Sequence, residues 1–316
     1  MPSIHLILDW DSTLTTKDTL SVLASIGYEA ESSKHLDPKP WSYIVDSYMQ
    51  DYGNHKKDYL PMSDQRKTIE AESAWLASLA DVECRSFMRF KGEKLLVKTS
   101  LDEIQSGVTK AIKNDRLVMR PAWDDLLALH NQLEISVEDL SFAILSVNWS
   151  TIFIRICLQE AVKRSHSPYR NALRRTVNTI PIYANEMIQS ESDPARSICS
   201  SESIHTSAGK VQTLEEIKRE SSILVYIGDS ATDFDCLLAA DIGICIRDSK
   251  NLSNSQAELA SIFNRVGVAV IPLCNFTASH SPFSKRSKHA SSKVWYTSDL
   301  KDVVALISQI VEHPER

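Results

Sequence analysis

A parallel α/β sheet with helices packed on it is the fold class this sequence predicts, with a helical segment inserted after the first strand. Three observations predict it. From residue 122 onward, short apolar runs alternate with helix-length amphipathic stretches. Two of the most continuous apolar runs, Ile4–Leu8 and 223–227, are each followed at once by acidic residues, as expected where strand ends meet a binding crevice. Residues 28–119 show neither pattern; they are polar, helix-favouring and rich in aromatics.

Taken in order, residues 3–9 read as a buried strand. Residues 16–27 read as a helix, with Thr16 as its cap, Leu20, Val22, Leu23 and Ile26 as its apolar face, and Gly27 as its stop. Amphipathic stretches follow near 64–90 and 99–113. Pro121 closes this region, because it disfavours helix at Arg120. The alternation then runs helix 122–131, strand 141–146, helix 150–163, strand 179–184, helix 209–219, strand 223–227, helix 232–239, strand 242–246, helix 252–265, strand 267–272 and helix 298–312. Residues 275–293, with Ser-Lys-Arg-Ser-Lys-His at 284–289, read as a long mobile loop. The expected domains are a core of residues 1–15 and 120–316 and a helical cap of residues 16–119.

The chain has 316 residues, 43% of them apolar, which is enough for a full core. A net charge of −6 argues against nonspecific binding to nucleic acid or anionic membranes. No apolar run reaches the ~18 residues of a membrane span, and Met1 leads straight into the first strand without a signal peptide, so a cytoplasmic protein is expected. The six cysteines show no CxxC spacing; most lie in apolar segments and read as reduced core residues.

Asp9 and Asp11 stand two residues apart at the end of the first strand. Like charges that close repel and raise each other's pKa. The pair is tolerable if a cation lies between them, or if one attacks while the other carries a proton. Asp229 and Asp233, one helical turn apart after the strand at 223–227, supply a second acidic strand end. Asp9, Asp11, Asp229 and Asp233 together make a hard oxygen site suited to Mg²⁺. Phosphate-monoester hydrolysis, which is very slow uncatalysed, needs such a set. Asp9 is the candidate nucleophile and Asp11 the candidate general acid, later activating water. Ser146, with the backbone N–H groups of Val147 and Asn148, is placed to hold phosphoryl oxygens at a helix start. Lys210, after Gly209 at a predicted helix start, would offset the excess negative charge, with Lys218 as its rival. Gly209 and Gly228 flank proposed site residues and fit close backbone approach.

Asp9-x-Asp11-x-Thr13, Ser146, Lys210 and Gly228-Asp229-x-x-x-Asp233 resemble the four motifs of the haloacid dehalogenase superfamily of phosphohydrolases, in order and in strand context. The segment between the first two motifs resembles the C1 cap of its phosphoserine-phosphatase-like members. Leu145-Ser146-Val147-Asn148-Trp149, Val225-Tyr226-Ile227-Gly228-Asp229-Ser230 and Ala240-Asp241-Ile242-Gly243 are similar to the phosphatase domain that plants fuse to a thiaminase-II-like domain. The resemblance implies a Mg²⁺-dependent phosphomonoester hydrolase working through an aspartyl-phosphate on a small soluble metabolite, with thiamin monophosphate as the named candidate. Val147 and Asn148 depart from the glycine common in that motif. The presence of Asp11 argues against the dehalogenase branch, and the absence of a Lys-Thr-Gly-Thr run after Asp9 argues against a P-type ATPase.

Asp18, nine residues after Asp9, matches an acidic substrate-contacting position of those relatives and would suit a cationic substrate; its simpler role is a helix N-terminal acid. Trp149 is a candidate pocket residue. Of Trp41, Tyr43, Tyr48, Tyr52 and Trp75, at most one or two are expected to face the pocket, the rest forming cap core. Ser146 could instead cap the following helix. His5 reads as core, and Lys163, Arg164, Arg170, Arg174 and Arg175 as a solvated helix face. Two other readings use the same residues: a phosphotransferase or phosphomutase with Asp9 as nucleophile, and a catalytically silent binding protein.

Overall fold

The computed structural model describes residues 3–32, 38–96, 99–136, 139–188, 203–219, 222–249, 251–277 and 293–312. Strand β1 (Ile4–Leu8) is buried at every residue and leads into a tight loop over Trp10–Leu14, where Ser12 takes a left-handed φ of 58°. Five helices follow before Pro121: α1 (Leu20–Ser32), α2 (Trp41–Asp58), α3 (Ile69–Ser78), α4 (Ala80–Gly92) and α5 (Leu101–Lys113). Thr68 caps α3, and a Ser100–Glu103 capping box starts α5, satisfying N–H groups that the first turn leaves open. The chain enters and leaves this helical segment side by side. Thr16 N–H donates to the Val118 carbonyl at 2.9 Å, Arg120 N–H to the Leu14 carbonyl at 2.8 Å, and Thr15 bridges Met119.

Beyond Pro121 come α6 (Trp123–Leu127), α7 (Leu129–Gln132), β2 (Leu140–Leu145), α8 (Thr151–Arg164), α9 (Arg170–Thr179), β3 (Ile182–Tyr183), α10 (Ser207–Ile217) and β4 (Ile223–Gly228). A short 3-10 turn at Ala231–Asp233 runs into α11 (Phe234–Ala239), followed by β5 (Ile242–Ile246), α12 (Asn254–Val266), β6 (Ala269–Pro272), β7 (Lys293–Thr297) and α13 (Leu300–Glu312). The seven strands form one parallel sheet in the order β3-β2-β1-β4-β5-β7-β6. Every residue of β1, β2, β4 and β5 is buried, as in a sheet covered on both faces. This is the Rossmann-like α/β architecture the alternation predicts.

Several local expectations are corrected. The first helix starts at Leu20 instead of Thr16, with Asp18 Oδ1 accepting from Leu20 N–H. Gly27 lies inside that helix; a Cβ there would come within 3.1 Å of Leu95 and Leu96, so the glycine allows close packing and is not a stop. Helix α9 fills part of what the sequence left between α8 and β3. Strand β7 falls just after the predicted loop, its sequence Lys-Val-Trp-Tyr-Thr giving too short a pattern to stand out; it inserts between β5 and β6. Of the predicted loop at 275–293, residues 278–292, including the basic run at 284–289, lie outside the described residues.

Cys157, Cys236, Cys245 and Cys274 are free thiols, the first three buried. Cys84, half-buried on α4, is instead disulfide-bonded, apart from the reduced reading given to most of the six. His5 is buried in the core, and burial pushes its pKa down to about 4. No helix among the described residues is long and apolar enough to cross a membrane.

Candidate active site

Strand register gathers the first acidic residues. Leu8 pairs with Ile144 of β2 on one side and Ile227 of β4 on the other. Asp9, one residue on, therefore sits level with the ends of both neighbours, and its N–H donates to the Ile227 carbonyl at 2.8 Å. Asp229 follows Gly228 at the end of β4. The carboxylates of Asp9, Asp229 and Asp233, all buried, bring oxygens within 4.8 Å of one another.

Lys210 enters from the first turn of α10, whose N-terminus is capped by Thr206. Its fully buried Nζ donates to Asp9 Oδ1 and to Asp233 Oδ1, each at 2.6 Å. Burial opposes the ammonium charge, but Asp233 and Asp9 outweigh it and hold Lys210 protonated. Lys218, its rival, lies at the far end of α10 with its ammonium on Glu215.

Asp233 is saturated with donors. Oδ1 also accepts from the Tyr226 hydroxyl at 2.6 Å; Oδ2 accepts from Asp229 N–H at 3.1 Å, Ser230 N–H at 3.0 Å and Ser230 Oγ at 3.1 Å. Burial alone would raise its pKa, yet Lys210 and these hydrogen bonds keep it below the usual carboxylate range. Gly228 is needed beside it, since a Cβ there would lie 2.3 Å from Asp233 Cγ. Asp229 differs. Among the described residues only two hydroxyls reach it, Thr13 Oγ1 at 3.4 Å and Ser255 Oγ at 3.2 Å, and burial, then the charges of Asp9 and Asp233, push its pKa well up. Burial likewise raises Asp9 to about 8 against the pull of Lys210.

Three carboxylates facing one ammonium leave the cluster short of positive charge. Asp9 and Asp229 carry hard oxygens with room for another partner, which fits a divalent cation such as Mg²⁺. Asp233 fits better as the brace behind them.

Asp11 stands outside this cluster. Its Oδ1 accepts from Thr19 N–H at 2.7 Å and Thr19 Oγ1 at 2.6 Å, and its Oδ2 from Asn148 Nδ2 at 2.9 Å. The Asp11 carboxylate is thus held apart from the Asp9, Asp229 and Asp233 group. Burial, then the charge of Asp18, raise its pKa to about 7. Thr19 is itself fixed by Trp10 Nε1 at 3.1 Å.

The Asn148 N–H donates to Ser146 Oγ at 3.1 Å, and its side-chain amide donates to Asp11 Oδ2. Ser146 is fully buried, while Val147 lines the cleft. Ser150, not Ser146, caps α8. Trp149 packs against Phe90 at 5.0 Å and Trp41 and Phe87 at 6.1 Å and does not line the cleft.

The cleft itself has a volume of about 440 Å³. Asp9, Asp11, Asp18 and Asp229 line it, together with Tyr48 and Tyr52 of α2, Glu83 of α4, Glu258 of α12, His205 and Ser255. Two of the five aromatics singled out in the sequence thus face it. Trp75 is buried, Trp41 packs on Phe90, and Tyr43 is exposed.

Sequence reasoning missed Thr19, Tyr226, Arg120 and Glu83. Arg120, buried after the helical segment, donates from Nε to the Thr13 carbonyl at 2.9 Å, from Nη2 to the Ser12 carbonyl at 2.7 Å and from Nη1 to Asp248 Oδ1 at 2.7 Å. Its place before a proline was the only local signal.

No family model matches the sequence. The chain is 27% identical over 264 residues to a CTO1 family protein of Schizosaccharomyces pombe, across 77% of this chain and 82% of that one. It is 23% identical over 310 residues to the bifunctional TH2 protein, mitochondrial, of Arabidopsis thaliana, across 91% of this chain but 45% of that protein, so it spans less than half of that relative. Among solved structures, a phospho-aspartyl intermediate analogue of phosphoserine phosphatase aligns at a TM-score of 0.40 and 12% identity, over 83% of this chain and 91% of that chain. A HAD family hydrolase of Salmonella enterica aligns at a TM-score of 0.39 and 16% identity, over 79% and 65%.

Proposed function

We propose that this chain is a Mg²⁺-dependent phosphomonoester hydrolase with Asp9 as nucleophile and Asp11 as general acid–base. One observation carries the reading: a buried Asp9 held by Lys210 at 2.6 Å and a separately oriented Asp11 open on the same cleft. Two carboxyl groups in unlike surroundings can take unlike roles.

Asp9 and Asp229 would hold Mg²⁺, with Asp233 behind them. When bound, the ion would offset the negative charge of the phosphoryl group and of Asp9. Lys210 pulls Asp9 toward its anionic form, against the effect of burial. An Asp9 oxygen attacks phosphorus as the bond to the leaving oxygen breaks, and Asp11 gives that oxygen its proton. Asp11, now a carboxylate, takes a proton from water as the water attacks phosphorus and the bond to Asp9 breaks. Thr19 and Asn148 keep Asp11 aimed through both steps. Ser146 and Val147 would border the phosphoryl oxygens.

The helical segment of residues 16–119 acts in this reading as a cap over a core of residues 1–15 and 120–316, excluding water during the first step. A cleft of about 440 Å³ suits a small phosphorylated metabolite. Thiamin monophosphate is the named candidate, supported by the likeness to the TH2 protein.

The test is phosphate release from p-nitrophenyl phosphate, thiamin monophosphate, phosphoserine, nucleotides and sugar phosphates, with Mg²⁺ and with EDTA. Activity that needs Mg²⁺ and disappears in Asp9→Asn is expected. Turnover that survives Asp9→Asn would remove Asp9 from the nucleophile's role.

A further inference from the structure

The cleft has two unlike ends. At the sheet end Lys210 lies behind Asp9. At the other end no lysine or arginine lines the cleft among the described residues. There Glu83 projects from α4, and the Tyr48 hydroxyl donates to its Oε1 at 2.8 Å. Its second oxygen has no donor among the described residues. Tyr48 and Tyr52 stack on each other at 6.1 Å, one turn apart on α2, and both line the same space as Glu83. Glu258 and Asp18 add negative charge around it.

A half-buried carboxylate with one free oxygen and no basic partner gives up part of its hydration on folding, at a cost in free energy. Glutamine would fill the same volume and keep a hydrogen-bonding partner for Tyr48 without that cost. A carboxylate beside aromatic rings in a cavity is what a ligand cation requires, since the ring faces and the anion attract it together. A phosphoryl group is repelled from this end and drawn to the end with Lys210. A single molecule satisfies both ends if it is anionic at one terminus and cationic at the other.

We propose that Glu83, positioned by Tyr48, is a specificity-determining residue that binds a positively charged nitrogen group on the alcohol part of the substrate. This rests on reading the cleft as a phosphomonoesterase site, and it adds the chemical class of the leaving alcohol.

Two alcohols of the same shape test it, N-(2-hydroxyethyl)pyridinium, which is cationic, and 2-phenylethanol, which is neutral. Titration calorimetry on the full chain measures their binding without turnover. The wild type is expected to bind the cation about tenfold or more tightly than the neutral analogue, in the range of a desolvated cation–aromatic and charge contact. Glu83→Gln is expected to abolish that preference and leave 2-phenylethanol unchanged, with Tyr48→Phe between the two. Equal binding of both alcohols by the wild type, or equal weakening of both in Glu83→Gln, would overturn the proposal.

The phosphate esters of the same alcohols separate this inference from the catalytic reading. With both correct, the wild type hydrolyses both esters with a lower KM for the cationic one, and Glu83→Gln narrows that difference. Hydrolysis of both esters with no preference sinks the cation site and keeps the phosphatase. A retained preference in binding with no hydrolysis of either sinks the phosphatase and keeps the cation site. Should Glu83→Gln fail to fold, the wild-type preference and Tyr48→Phe decide the matter.

Discussion

The side-chain amide of Asn148 donates to Asp11 Oδ2 at 2.9 Å, tying the end of the second strand to the loop after the first. That bond restrains the proposed acid from one side while Thr19 restrains it from the other. Removing it in Asn148→Ala frees the carboxyl to rotate, and a misplacement near 1 Å costs up to about 100-fold in rate. We expect kcat to fall for alkyl phosphates, which need their leaving oxygen protonated, and much less for p-nitrophenyl phosphate, whose leaving group departs unaided. Equal losses on both would show that Asn148 does not act through Asp11.

Lys210 lies between two buried carboxylates. Lys210→Met leaves both without their cation, and losing one member of a buried ion pair destabilises by about 3–5 kcal/mol. Denaturant unfolding should show the midpoint dropping with little change in slope. Adding Mg²⁺ should recover part of the loss, because binding to the folded state stabilises it. An unchanged midpoint would contradict the buried triad.

Arg120 clamps the carbonyls of Ser12 and Thr13 with one guanidinium. Lysine cannot span both acceptors in a plane. Arg120→Lys is expected to lower kcat about tenfold, with KM nearly unchanged, since the loop carrying Asp11 loosens while the substrate contacts remain. Steady-state kinetics on one good substrate checks it, and a shift confined to KM would point to a substrate contact instead.

Burial holds the Glu83 carboxyl up at about 7, against the Tyr48 hydrogen bond that favours its anion. The groups lining the cleft near it are Tyr48 and Tyr52 of α2, Glu258 of α12 and Asp18 before α1. Only the ionised form attracts a cation. The ratio of kcat/KM for the cationic ester to that for its neutral analogue should therefore rise as pH passes upward through about 7. Asp9 and Asp11 serve both esters, so their titrations cancel in the ratio. Glu83→Gln should flatten the profile, and a ratio independent of pH in the wild type would show that Glu83 does not supply the attraction.

The central strands were readable because each is a short, mainly apolar run, and a strand buried on both faces leaves that trace. Asp9 and Asp229 were readable for a related reason: charge at the end of such a run is costly and stands out. Lys210 was visible beside Gly209 at a helix start. The tyrosine at 226 looked like strand core, and Asn148 like a source of backbone N–H groups, because local pattern records burial and not the partner of a side chain. The same limit hid β7, whose place between β5 and β6 depends on pairing and not on its own five residues.

The sequence by itself determined the α/β class, the succession of the main core strands along the chain and the acidic residues at the ends of two of them, since apolar periodicity and misplaced charge are local properties of the chain. Tertiary structure alone decided that Asp11 is held by Thr19 and Asn148, that Asp233 is saturated by Lys210, Tyr226 and the backbone, and that Glu83 shares a cleft with Asp9. Those contacts join residues far apart in the chain, and their geometry is set by strand register and helix packing, which no single segment encodes.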